Sequence, residues 1–212
     1  MGSSESEEGH WFAESPVHKV RVRAFLMCRT ECTQRAWVQV GGEDGRNWWV
    51  PDLPIEGVTW DAVKAWCGKA GLGLPSEAEW EFACRAGTTM PFSFGQAIAP
   101  AQVNYDGNYP YGNTPKGEYR EKTVACGSLP GNPWGLFEVH GNISEWCEDD
   151  WHSSYERAPT DGSAWKTEGA PFRVFRSGIW RGIARYCRSA ARWGVPGDRG
   201  AGLGFRPAFS LP

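Results

Sequence analysis

The chain lacks any apolar run long enough to cross a bilayer and carries no secretory leader pattern, so a membrane-spanning role is not expected. Histidine is scarce: His10, His18, His140 and His152 lie far apart. No H-x-x-x-H or H-E-x-x-H spacing joins any of them, which argues against a zinc or non-haem iron active site. There is no G-x-S-x-G elbow for a serine nucleophile and no phosphate-binding P-loop. Internal repeats and low-complexity tracts are also missing. The cysteines number seven, an odd count and poor material for a full disulfide framework. Cys28-x-x-x-Cys32 has no second close pair, so a structural zinc is not expected. Cys67 and Cys84 sit among apolar neighbours and read as buried thiols. This usage suits a reducing compartment and favours the cytoplasm, unless targeting lies in sequence outside the chain.

Lysine is absent from 170–212, where eight Arg face one acid, Asp198. That segment carries +8 − 1 = +7, and the net charge of −3 leaves −10 for the rest. Arginine without lysine points to fixed bidentate bonds rather than diffuse attraction. Arg188, Arg192, Arg199 and Arg206 are therefore expected to pair internally, and nucleic acid is not expected as a partner.

What the chain has in abundance is tryptophan, glycine and proline. With 13 Trp and 14% aromatics, a loop-rich fold can still bury enough area to be rigid. Gly 27 and Pro 15 make about a fifth of the 212 residues and are spread along it, so many turns are expected. One domain over 1–212 is the natural reading of that length. The first nine residues are small, polar and acidic and are expected to be mobile. Alternation over 17–22 predicts a strand. Thr33 and Thr59 cap short helices ending near Val40 and Gly68, with a loop over 41–45. Ser76 with Glu79 forms a capping box, and Gly87 is the expected left-handed stop. Strands are expected at 136–139 and 173–176.

The stretch 173–206 alternates two kinds of position. Trp180, Cys187, Arg188, Ser189, Arg192, Pro196, Asp198, Arg199, Gly204, Phe205 and Arg206 read as framework. The inserts between them show neither helical nor strand period, and many are small. Such a segment holds a shape while leaving parts of its surface free.

That framework resembles the closing segment of the formylglycine-generating enzyme (sulfatase-modifying factor) family. So do Met1-Gly2-Ser3, Glu14-Ser-Pro-Val-His18 with Val20 and Val22, Glu31-Cys-Thr33, and Val58-Thr-Trp60 with Asp61 and Ala62. Leu74-Pro-Ser-Glu-Ala-Glu-Trp-Glu-Phe-Ala83 with Arg85-Ala-Gly87 is nearly that family's L-P-T-E-A-E-W-E-x-A-x-R-x-G. Gly135-Leu-Phe-Glu-Val-His-Gly-Asn-Ile-Ser-Glu-Trp146 and Leu203-Gly-Phe-Arg206 complete the series. The resemblance implies an α+β, C-type-lectin-type fold, loop-rich, with short strands and two or three helices. It also implies that an active enzyme needs two neighbouring copper-binding cysteines in the closing segment. Only Cys187 is there, with Ala184 and Ser189 at the implied thiol positions. One thiolate cannot make a two-sulfur Cu(I) site, so copper and catalysis are not expected.

Within the family, the segment is most similar to that of the variable proteins of diversity-generating retroelements, where adenine-rich codons are rewritten around a fixed framework. NNY codons supply each of the small inserts seen here; Trp193 cannot arise that way. The implied ligand-binding positions are Ile179, Arg181, Gly182, Ile183, Tyr186, Ala191, Trp193, Gly194, Val195, Gly197, Gly200, Ala201 and Gly202. Tyr186 and Trp193 are the best anchors, since aromatics give rigid contact area at low entropy cost. The implied partner is a protein or other macromolecule; the alternative is a family oxidoreductase or accessory module with an unidentified site. The resemblance further implies structural calcium, held in one place by Asn104, Tyr105, Glu118 and Arg120, and in another by His140, Gly141, Ile143 and Glu145.

Overall fold

The computed structural model describes residues 1–43 and 49–211. Among the described residues, three short α-helices, two 3-10 turns and six short strands are joined by long ordered loops. α1 (Gln34–Gln39) starts at Thr33, whose hydroxyl accepts the Ala36 N–H at 3.1 Å. α2 (Trp60–Ala70) starts the same way at Thr59. α3 (Glu77–Arg85) carries the full reciprocal capping box of Ser76 and Glu79. Its stop is as expected: Ala86 closes the helix at φ 47° and Gly87 follows it in the left-handed conformation, φ 87°.

β2 (Ser144–Asp150), β3 (Phe172–Arg176), β4 (Trp193–Pro196) and β5 (Leu203–Phe205) form one sheet in the order β4-β3-β2-β5. β2 is antiparallel to β3 and parallel to β5, so Trp146 lies between Phe175 and Phe205. β1 (Phe25–Met27) and β6 (Ala208–Ser210) make a separate two-stranded ribbon. Among the described residues no helix is long and apolar enough to cross a membrane.

Tryptophan builds the core and keeps its N–H bonded while doing so. Trp37 and Trp66 stack at 6.1 Å, with Phe205 edge-on to both. Trp60 donates to the Cys147 carbonyl, Trp66 to Trp37, and Trp146 to Val58. Cys67 and Cys84 are buried as expected.

Three expectations fail. The alternating 17–22 stretch forms no strand, its backbone N–H groups at His18 and Arg21 bonding the Met1 and Thr160 carbonyls; the strand begins later, at Phe25. Residues 136–139 form a turn, because Glu138 takes φ 51° and binds the Gly127 and Leu129 N–H groups. The first nine residues are tied down: the Met1 ammonium bonds the His18 carbonyl, Gly2 bonds Glu81, and the Glu8 carbonyl accepts from Tyr111. In the closing segment the strand expected at 173–176 is present as β3, and Trp193–Pro196 adds β4. The loop expected over 41–45 lies partly outside the described residues.

Candidate ligand-binding face

Buried arginines pin the closing segment from below. On β3, Arg176 donates to the carbonyls of Ser189, Ala190 and Ala191 and to Glu81 at 2.6 Å. Arg188 forks onto Glu14 at 2.6 and 2.8 Å and adds Glu7 at 2.7 Å. Arg192 forks onto Glu77 at 2.6 and 2.8 Å. Arg206 forks onto Glu145 and also bonds the Cys28 and Phe137 carbonyls. Burial works against the charge of Arg188, Arg192 and Arg206, but the paired carboxylates outweigh it and raise all three above the ordinary guanidinium value. Three of the four arginines expected to pair do so. Arg199 does not: it is exposed and makes no ion pair among the described residues. Sequence reading missed Arg176, although strand parity puts it on the same face as buried Val174.

Above these pins lie the residues implied to bind. Tyr186, 37% exposed, meets Trp193 edge-to-face at 5.3 Å, and Trp193 stacks on Phe175. Arg185 lies 5.0 Å over the Tyr186 ring and donates to its hydroxyl. With His10 and Trp11 from the N-terminal turn they border a cleft of about 280 Å³. Trp11 and Arg185 were not singled out from sequence; an exposed tryptophan beside a helical turn carried no periodic signal. A second group gathers around Trp180, where Tyr119 stacks at 6.2 Å and Arg181 reaches over the ring at 5.8 Å. Arg181 and Ala201 are exposed; Ile179, Gly182, Ile183, Val195, Gly197 and Gly200 are half-buried.

Two positions are corrected. Ala191 is fully buried because its carbonyl caps Arg176, and Gly202 is buried against Ile179. Three glycines are fixed by contact rather than open to replacement. A Cβ on Gly194 would lie 2.2 Å from Trp151, and one on Gly200 would lie 2.6 Å from the Gly57 carbonyl. Gly202 combines φ 76° with a 2.5 Å approach to Ile179.

Cys187 is wholly buried, which pushes its thiol well above the ordinary value. Ala184 and Ser189 are buried beside it. Cys84 lies 3.6 Å from the Ser189 hydroxyl, and burial pushes that thiol up to about 12. Neither is a thiolate at neutral pH, the form that attacks or ligates. His140 completes this nest. Its Nε2 accepts the Ser93 N–H at 3.1 Å, so Nδ1 carries the proton and donates to the Cys187 carbonyl at 2.7 Å. Burial lowers His140 to about 4.

The two implied calcium sets fare differently. In the first, Asn104 Oδ1 is buried without a partner, an oxygen suited to a hard cation. Tyr105 is buried beside it, and Glu118 is exposed and bonded to Arg120 at 3.0 Å. In the second, both Glu145 oxygens are taken by Arg206 and Trp80. The His140 and Gly141 carbonyls accept from Gly178 and Ile143. That set does not fit a calcium ion.

A loop-rich α+β scaffold with arginine-pinned closing loops is a C-type-lectin-type fold of the formylglycine-generating-enzyme kind. The sulfatase-modifying factor enzyme 1-like domain matches residues 1–211, and the chain belongs to that family. It is 32% identical over 184 residues to bovine (Bos taurus) formylglycine-generating enzyme, covering 81% of this chain and 48% of that protein. The chain thus spans about half the length of that curated relative. The structure of PvdO from Pseudomonas aeruginosa superposes with TM-score 0.85 at 29% identity, covering 100% of this chain and 90% of that one. Treponema denticola variable protein 1 superposes with TM-score 0.80 at 22% identity, covering 99% and 91%, and shares the fold.

Proposed function

We propose that this chain is a non-catalytic ligand-binding protein whose closing loops present a replaceable surface, diversified by a retroelement. The observation that carries the reading is the division of labour in 173–206. Arg176, Arg188, Arg192 and Arg206 point inward and are paired, while Arg185 and Tyr186 face outward beside an open cleft and Arg181 is exposed at the Trp180 patch. A scaffold pinned from below tolerates change above, because surface substitutions rarely alter stability much. The ligand is a protein or other macromolecule large enough to span the Tyr186–Trp193 cleft and the Trp180 patch.

The test is sequencing of the flanking DNA. A near-identical, adenine-rich copy of the closing segment beside a reverse-transcriptase gene supports the reading, provided the differences fall on adenines at insert codons. Absence of any such copy overturns it.

The identity to formylglycine-generating enzymes favours a second reading, an oxidoreductase of the same family. Conversion of a cysteine-containing peptide to its aldehyde would establish it; the buried, protonated state of Cys84 and Cys187 favours no turnover.

A structural calcium ion is proposed for the first set alone, on the orphaned Asn104 oxygen. Calcium should then raise the melting temperature of the wild type and leave Asn104→Ala unmoved. An equal response in both, or none in the wild type, removes the ion from this account.

A further inference from the structure

β1 has one strand neighbour, β6. Opposite it in the ribbon, Ala208 gives both its N–H and its carbonyl to Gly73, away from β1, while Cys28 donates to Pro207. Antiparallel alternation then turns the peptide groups of Phe25 and Met27 to the outer side. Among the described residues no strand pairs with that side. Two residues further on, the Arg29 carbonyl accepts the Phe137 N–H at 2.8 Å, so this edge already takes a partner where one is in reach.

The open edge looks into a groove of about 390 Å³. Phe25, Met27 and Leu136 line it together with Phe82 from α3 and Trp134. Phe82 and Trp134 meet edge-to-face at 4.9 Å, and each is 47% exposed. Asn132 fixes Trp134 in place by accepting both the Trp134 and Leu136 N–H groups. Exposed aromatic rings beside unpaired strand backbone are a hazard that folded proteins ordinarily cover.

Charge says what covers it. Lys19, Arg21, Arg23 and Arg29 are exposed, and no acid occurs from 17 to 30. None of the four makes an ion pair among the described residues, although Asp161 lies within the field of Arg23. A second copy pairing β1 to β1 would set these cations against their own kind, which is destabilising.

We propose that the open edge of β1 and its aromatic groove accept an extended, acidic peptide segment of another protein as an added strand. Backbone bonds form to Phe25 and Met27. Alternate apolar side chains enter between Phe82 and Trp134, and carboxylates meet the 19–29 basic run.

The experiment is panning of the whole chain against displayed random peptides of about twelve residues, followed by titration of the enriched peptides by tryptophan fluorescence. Enriched sequences should carry acids among alternating apolar residues. Their affinity should fall about tenfold or more in Phe82→Ser and Trp134→Ser, on added salt, and on N-methylation of the peptide backbone. Both side chains are largely exposed, so circular dichroism should confirm that the variants fold. The proposal is overturned by an absence of enriched sequences, by enrichment of basic ones, or by peptides indifferent to Trp134→Ser. Sedimentation showing a dimer that the same variant dissociates would replace the peptide with a second copy.

Discussion

Gly200 and Arg181 are both insert positions, yet the structure treats them oppositely. A side chain at 200 would meet the Gly57 backbone, which cannot yield as a side chain can. Gly200→Asn should therefore cost about 1–3 kcal/mol in chemical unfolding, while Arg181→Asn, on the surface, should stay within about 0.5 kcal/mol. Equal effects would mean the loop at Gly57 moves freely. His140 gives the second prediction at this scale. Burial, opposed by its bond to the Cys187 carbonyl, depresses its pKa from 6.5 to about 4. A depressed pKa means the unfolded chain binds the proton more tightly. The stabilisation is therefore fully present above pH 6.5 and lost as pH falls toward 4. Melting temperature should decline across that window, and less steeply in His140→Gln; a parallel decline in the variant would assign the loss to other groups.

At the scale of elements, the closing segment depends on partners from the other end of the chain. Arg192 couples it to Glu77 at the first turn of α3 and to the Ala13 carbonyl. Removing one member of a buried pair strands the other charge. Glu77→Ala should cost about 3–5 kcal/mol, and hydrogen exchange should quicken through 184–192 before it does in α2. Helices were legible from the sequence because a cap is a local event: Thr33, Thr59 and Ser76 each bond a backbone N–H three residues on. Strands were less so, because a strand exists only where a partner supplies a ladder. The well-alternating 17–22 stretch has none, whereas the unpatterned Trp193–Pro196 stretch lies in register with β3 and becomes β4.

The whole molecule places Trp11 from the N-terminal turn beside Tyr186 and Trp193 from the closing segment. If this cleft anchors the ligand, Tyr186→Ala and Trp11→Ala should each weaken binding of a screened ligand about tenfold or more while barely changing the melting temperature, because both rings are more than a third exposed. Loss of fold in either variant would instead make the ring part of the scaffold. The aromatic groove at β1 lies among other elements, so variants there should leave this binding unchanged.

Motif order alone determined the family, and with it the fold class. The helix starts were also written locally, in capping residues three positions from the groups they bind. The arginine-rich, lysine-free closing segment announced that its charges were to be fixed in place. Only the tertiary structure decided which carboxylates fix them, since Glu14, Glu77, Glu81 and Glu145 are distant in sequence and a fork forms only where folding brings both ends together. It also decided which inserts are surface and which are wedges. A glycine reads the same in sequence whether it faces solvent or, as at 194 and 200, is held there by an indole or a carbonyl too close for any Cβ.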